Sequence, residues 1–296
     1  MRAVVAGASG LIGNALVESL RGDGWEVVRL VRREPSAPDE ARWNPATRSV
    51  DRKALEGADA VVNLAGAGVG DRPWTRAYKQ RIRDSRILGT GALAEAMASL
   101  KEPPGVFVCG SAVGFYGDTG AAEATEDSGR GTGFLAELVE DWEAAAAPAA
   151  EAGIRVVFSR TGIVLAPKGG LLGRTLLPFR FGLGAQLGDG HQWMSWISLD
   201  DEVRALRFLI DTEVSGVFNL TAPHPVTNGE FTKALGRALH RPAPWFVPAA
   251  VLKLVLRDFA EEGPLISQRV LPRRLREAGF IFTDPTLDPT LRGLLS

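Results

Sequence analysis

Gly7-Ala8-Ser9-Gly10-Leu11-Ile12-Gly13 follows a short apolar run, Ala3-Val4-Val5-Ala6, and opens a helical stretch from Leu11 to Arg21. Three glycines between a strand and a helix each have a job. Gly7 permits the tight turn, Gly10 lets the backbone approach a pyrophosphate, and Gly13 lets helix and strand pack closely. The helix N-terminus adds unpaired N–H groups and the positive end of its dipole. The stretch from Gly7 through Ser9, Leu11 and Ile12 to Gly13 therefore reads as a nucleotide-phosphate loop, with an ordinary glycine turn as the competing reading.

Outward from this loop, strand-like and helical patterns alternate. Glu26 to Val31, Ala60 to Leu64, Val106 to Cys109 and Arg155 to Ser159 are strand-like. Helical stretches run from about Arg76 to Leu100 and from about Phe134 to Ala152. The strands are nearly continuous apolar runs, as expected of a parallel sheet covered on both faces. The expected class is α/β, a doubly wound parallel Rossmann sheet. After Arg160 glycine and proline become dense, and the last 75 residues are helical patterns punctuated by proline. The sequence predicts a Rossmann domain over residues 1–165, with a returning segment around 191–222 that includes the strand Gly216 to Leu220. Residues 166–190 and 223–296 are expected to form a smaller, mostly helical substrate-side domain.

Composition narrows the function classes. The 296 residues are 45% apolar, enough for a sizeable core, and 34 basic residues balance 35 acidic ones. A near-neutral chain without blocks of like charge argues against a nucleic-acid or membrane-surface binder that works by electrostatics. Cys109 is the single cysteine, so no intrachain disulfide forms, and the three histidines lack metal-ligand spacing, so no metal is expected. The most apolar stretch, Trp245 to Leu256, contains Pro248 and Lys253 and falls short of the roughly 20 residues a span requires. With no recognisable signal segment, the expected location is cytoplasmic.

The G-x-x-G-x-x-G spacing resembles that of the extended short-chain dehydrogenase/reductase family, which includes nucleotide-sugar epimerases. Asn63-Leu64-Ala65-Gly66 is similar to the family element beside the cofactor's adenosine half. Gly110-Ser111-Ala112-Val113-Gly114-Phe115-Tyr116-Gly117 is similar to its serine-bearing strand end followed by Tyr-Gly. Arg160-Thr161-Gly162 resembles the element on the nicotinamide side, and Trp196-Ile197-Ser198-Leu199-Asp200-Asp201 resembles the V-H-V-x-D segment. Arg81 to Arg86, Phe134 to Leu138 leading to Trp142-Glu143, and Leu187 to Trp193 resemble an atypical, cell-division-inhibitor-like subgroup, as does Gln268 to Pro272 before Gly279-Phe280. The resemblance covers essentially the whole chain. It implies a nicotinamide cofactor held by the glycine loop, Leu64, Ala65, Gly66 and Thr161, and by Arg86 at a position where the family often has asparagine. It also implies an unidentified small-molecule substrate, and it is compatible with a homodimer.

Cofactor choice is written just past the second strand, where an acidic residue would hold a ribose 2′-hydroxyl and an arginine a 2′-phosphate. Arg32 and Arg33 stand there, and a carboxylate is missing from the position NAD would want, which points to NADP(H); a solvated strand end is the bland alternative.

Catalysis departs from the resemblance. The family mechanism uses a tyrosine with a lysine four residues later, on one helix face. Of the two tyrosines, Tyr78 is followed four residues on by Ile82 and Tyr116 by Gly120, and Phe134 and Leu138 stand where the pair is expected. Two accounts remain. In one, the protein is an NADP(H)-dependent oxidoreductase or epimerase-like enzyme in which another group moves the proton. Tyr116 is then the leading candidate with Ser111 as helper, although the family serine can also lie at the position of Ala112. In the other, the protein is a catalytically silent NADP(H)-binding regulator, and Tyr116 is a buried aromatic with a hydrogen-bonded hydroxyl.

Overall fold

The computed structural model describes all 296 residues. Its centre is an eight-stranded sheet built from β1 (Arg2–Ala6), β2 (Glu26–Val31), β3 (Glu40–Asn44), β4 (Ser49–Val50), β5 (Ala60–Asn63), β6 (Val106–Ala112), β7 (Arg155–Thr161) and β8 (Gly216–Leu220). The spatial order is β8-β7-β6-β5-β1-β2-β3-β4, and every neighbouring pair is parallel except β3 with β4. The winding direction reverses at β1, which lies between β2 and β5. Ligands of such sheets bind in the crevice outside the carboxyl ends of the strands at this reversal.

Both faces of the sheet are covered. On one, Ala3 and Val5 pack with Leu16, Val17 and Leu20 of the Leu11–Gly22 helix and with Ala205, Leu206 and Leu209 of the Leu199–Asp211 helix. On the other, Val4 and Ala6 pack with Leu93 and Met97 of the Arg76–Ala98 helix and with Trp142. The alternation along β1 follows from the two-residue repeat of a strand. Truncating a fully buried leucine such as Leu16 to alanine costs about 2–5 kcal/mol. A third apolar cluster, Leu172, Leu176, Phe179, Phe231, Leu235 and Leu287, joins segments after residue 165. Leu275 and Phe280, late in the chain, pack into the first cluster.

Two local expectations change. The stretch after β2, where the sequence pattern marks no strand, contains β3, where only Ala41 and Trp43 are buried between exposed or partly exposed polar residues. The long helix expected from Phe134 to Ala152 is two, Phe134–Ala144 and Ala147–Glu151, with Pro148 in the first turn of the second, where its missing N–H is harmless. No helix is long and apolar enough to cross a membrane.

Candidate functional site

At the reversal point lies a cavity of about 1000 Å³. Gly7, Ser9 and Gly10 line it from the loop after β1, Arg32 and Arg33 from the end of β2, and Leu64, Ala65 and Gly66 from the end of β5. Gln80, Arg81 and Asp84 of the Arg76–Ala98 helix form its far wall. The glycines differ in what a side chain would meet. A Cβ on Gly13 would lie 2.2 Å from the Gly7 carbonyl oxygen, and one on Gly7, whose φ is +82°, 2.6 Å from the backbone of Leu64. Both are packing glycines. A Cβ on Gly10 would meet only the Gly7 oxygen, at 3.3 Å, and its remaining surroundings are the cavity. Gly10 is also the N-cap of the Leu11–Gly22 helix, with no side-chain cap and no acidic residue in the first turn. By contrast, the Arg76–Ala98 helix is capped by the Thr75 hydroxyl, which accepts from Tyr78 N at 3.1 Å. The first N–H groups of the Leu11–Gly22 helix are thus left for an anion. Leu11 itself points away, against Gly169 and Gly170.

The two arginines at the end of β2 have different surroundings. Arg33 is held by Glu40 through two hydrogen bonds of 2.8 and 2.6 Å, and the guanidinium holds that carboxyl down at about 2. Arg32 is exposed at the cavity wall and makes no ion pair. Farther in, Arg86 donates through Nη1 to the Ala67 and Ile82 carbonyl oxygens, stacks on Trp142 and packs beside Gly66. It has no carboxylate partner. Burial pulls its pKa down to about 10, so it stays charged at neutral pH.

Ser111, Tyr116 and Thr161 lie away from this cavity, in the polar interior at the carboxyl ends of β6, β7 and β8. Ser111 Oγ donates to Glu143 at 2.5 Å, and Arg160 grips Glu143 with bonds of 2.8 and 2.7 Å. The other end of Arg160 donates to the Tyr116 hydroxyl at 3.1 Å, which in turn donates to Asn219 Oδ1 at 2.7 Å. Tyr116 is 4% exposed, and burial raises its phenol above the usual value despite the neighbouring guanidinium. Thr161 Oγ1 donates to Glu202 at 2.8 Å. Glu202 is fully buried, its second oxygen lacks a partner, and desolvation pushes its carboxyl up to about 8.

The start of the Phe134–Ala144 helix carries ionisable groups of another kind. The Glu262 carboxylate accepts from the backbone N–H groups of Phe134 and Leu135, at 3.0 and 2.7 Å. Lys79 lies over the Trp74 and Phe134 rings, 5.1 and 5.4 Å from their centroids, and pairs with Asp258 at 2.7 Å.

The model described as NAD dependent epimerase/dehydratase family matches residues 3–221, the whole span from β1 to the end of β8. The chain belongs to this family. A second model, described only as a domain of unknown function (DUF1731), matches residues 247–294. Epimerase family protein Mb2239 of Mycobacterium bovis is 49% identical over 288 residues, covering 97% of this chain and 95% of that one. The crystal structure of human epimerase family protein SDR39U1 with NADPH superposes with a TM-score of 0.92 at 36% identity, covering 100% of this chain and 99% of that one. A nucleoside-diphosphate sugar epimerase from Corynebacterium glutamicum superposes at 0.82 with 36% identity, although this chain covers 58% of it.

As an epimerase-family member the chain keeps the glycine loop and lacks the tyrosine-lysine pair: Phe134 and Leu138, both apolar, begin the helix that would carry it. The residues that sequence reading missed are Glu262, Glu202 and Asn219. Each meets its partner across 128, 41 or 103 positions of chain, so no local pattern marks it.

Proposed function

We propose that the protein binds NADP(H) in the cavity at the reversal point and acts as an NADP(H)-dependent oxidoreductase of the epimerase family on a small-molecule substrate. The observation that carries this reading is the exposed, unpaired Arg32, which lines the same cavity as the glycine loop. Gly10 and the uncapped N–H groups of the Leu11–Gly22 helix suit a pyrophosphate. Arg32 suits a 2′-phosphate, whereas Arg33 is neutralised by Glu40. The NADPH bound to the human relative supports the same choice. Nicotinamide cofactors supply hydride transfer when bound.

What this chain's residues do beyond binding follows from their surroundings. Ser111, Glu143, Arg160, Tyr116 and Asn219 form a buried chain of hydrogen bonds that fixes the ends of three strands, so Ser111 and Tyr116 act as scaffold. Glu262 is our candidate for proton transfer: it lies outside the cavity lining, and its carboxylate sits at the start of the helix where the family resemblance places the tyrosine. A second reading, a catalytically silent NADP(H) binder, is favoured by the same burial of both hydroxyls. Titrating the protein with NADPH and following its oxidation against a panel of carbonyl compounds and nucleotide sugars tests both. Turnover that Glu262→Gln abolishes while NADPH affinity stays unchanged supports the enzyme. Binding without turnover supports the silent binder, and no binding defeats both.

A further inference from the structure

One surface outside the cavity lining differs from the rest of the molecule. Of ten large apolar side chains left exposed, eight fall within residues 177–183 and 245–255, including Phe181 at 74% and Leu254 at 81% exposure. They form one face. The strand Trp245–Val247 pairs with Ala185–Leu187, Trp245 Nε1 donates to the Gly182 carbonyl oxygen at 3.1 Å, and Arg241 Nε donates to that of Arg180 at 3.2 Å. The helix Ala249–Leu256 continues from this strand and buries none of its residues, although seven of its eight are Leu, Val or Ala and only Lys253 is charged.

The second observation is charge. Beside this face an open hollow of about 510 Å³ is lined by Lys233, Arg237, His240 and Arg241. Arg237 is engaged by Asp288 at 2.7 Å, but Lys233, Arg241 and the adjoining Arg180 have no carboxylate partner. Nearby Glu261 is taken by Lys253 at 2.8 Å.

We propose that this face docks on an anionic phospholipid surface. The exposed aromatic and aliphatic side chains enter the headgroup region, and the basic hollow receives a lipid phosphate. The unpaired cations beside the apolar face match the phosphates of an anionic bilayer, which is why a lipid surface rather than a second copy of the chain is the occupant proposed. The near-neutral total charge and the lack of a spanning helix are no obstacle, because neither measures a local patch. The inference stands apart from the cofactor reading.

The test is co-sedimentation of the full chain with vesicles of phosphatidylcholine alone or mixed with phosphatidylglycerol, alongside its molar mass in solution. The expected result is binding to the anionic vesicles that weakens with salt and falls about tenfold or more in the double variant Phe246→Ser/Leu254→Glu. Lys233→Glu should weaken binding with the apolar face intact. Both positions of the double variant are exposed, and unchanged unfolding by urea shows that its fold survives. Absence of vesicle binding, equal binding by wild type and double variant, or a dimer that the double variant dissociates would each overturn the proposal.

Discussion

Replacing Glu202 by glutamine alters the dependence of stability on pH in a direction that the structure fixes. The carboxyl is buried with one oxygen accepting from Thr161 and the other unpartnered, and desolvation pushes it up to about 8. In the unfolded chain it titrates near its ordinary value of about 4.3. Between these two values the folded protein holds a proton that the unfolded chain has released. Stability contributed by this group is therefore complete below the lower value, declines as pH rises, and levels off above about 8. Each unit corresponds to about 1.4 kcal/mol, so the window spans on the order of 2–4 kcal/mol once local relaxation is allowed for. Glutamine keeps the shape and an acceptor for Thr161 but cannot titrate. Urea unfolding of both proteins at about pH 5 and about pH 8.5 isolates the effect as a difference. The variant should gain on the wild type by that amount as pH rises. A difference that stays constant across the range would refute the assignment of a neutral buried carboxyl.

The cofactor site gives two further expectations. Arg32→Asp should lower the ratio of NADPH to NADH affinity roughly ten- to a hundredfold, by removing a charge-assisted contact worth about 1.5–3 kcal/mol, whereas Arg33→Ala should do less because Glu40 already holds that side chain; titration by tryptophan fluorescence reads both. Gly10→Val should abolish NADPH binding in a folded protein, and retained affinity by calorimetry would remove the loop from the site. Tyr116→Phe should destabilise by about 1–3 kcal/mol, because Arg160 and Asn219 lose a buried partner, while NADPH affinity stays unchanged. Lost turnover with unchanged stability would instead make Tyr116 the proton donor.

Much of the fold was legible because the strands of a covered parallel sheet are short apolar runs, and the glycine loop marks where the first of them ends. Strand β3 escaped because it lies toward an edge, and Glu40-Ala41-Arg42-Trp43-Asn44 buries only alternate residues. In the site, the glycines could be assigned from spacing. The two arginines could not be separated, since adjacent residues at a strand end share a pattern and differ only in which of them meets Glu40, seven residues on. Glu262 and Glu202 were invisible for a related reason. Their roles come from tertiary partners, and a single carboxylate in a helical stretch looks the same whether it is solvated or buried.

Leu275 and Phe280 complete the apolar layer beneath β8, where Phe280 meets Phe208 and Phe282 edge to face, with ring centroids 5.7 and 4.9 Å away. Two segments matched by separate family models therefore share one core. A ribosome that has released residues up to the end of β8 has delivered every strand of the main sheet but not the residues that close one of its faces. That face waits, with Phe208 and Phe218 uncovered, until some sixty further residues have emerged. Such a pause leaves exposed apolar surface of the kind that chaperones hold. The sheet made earliest is thus completed by a segment made near the end of the chain.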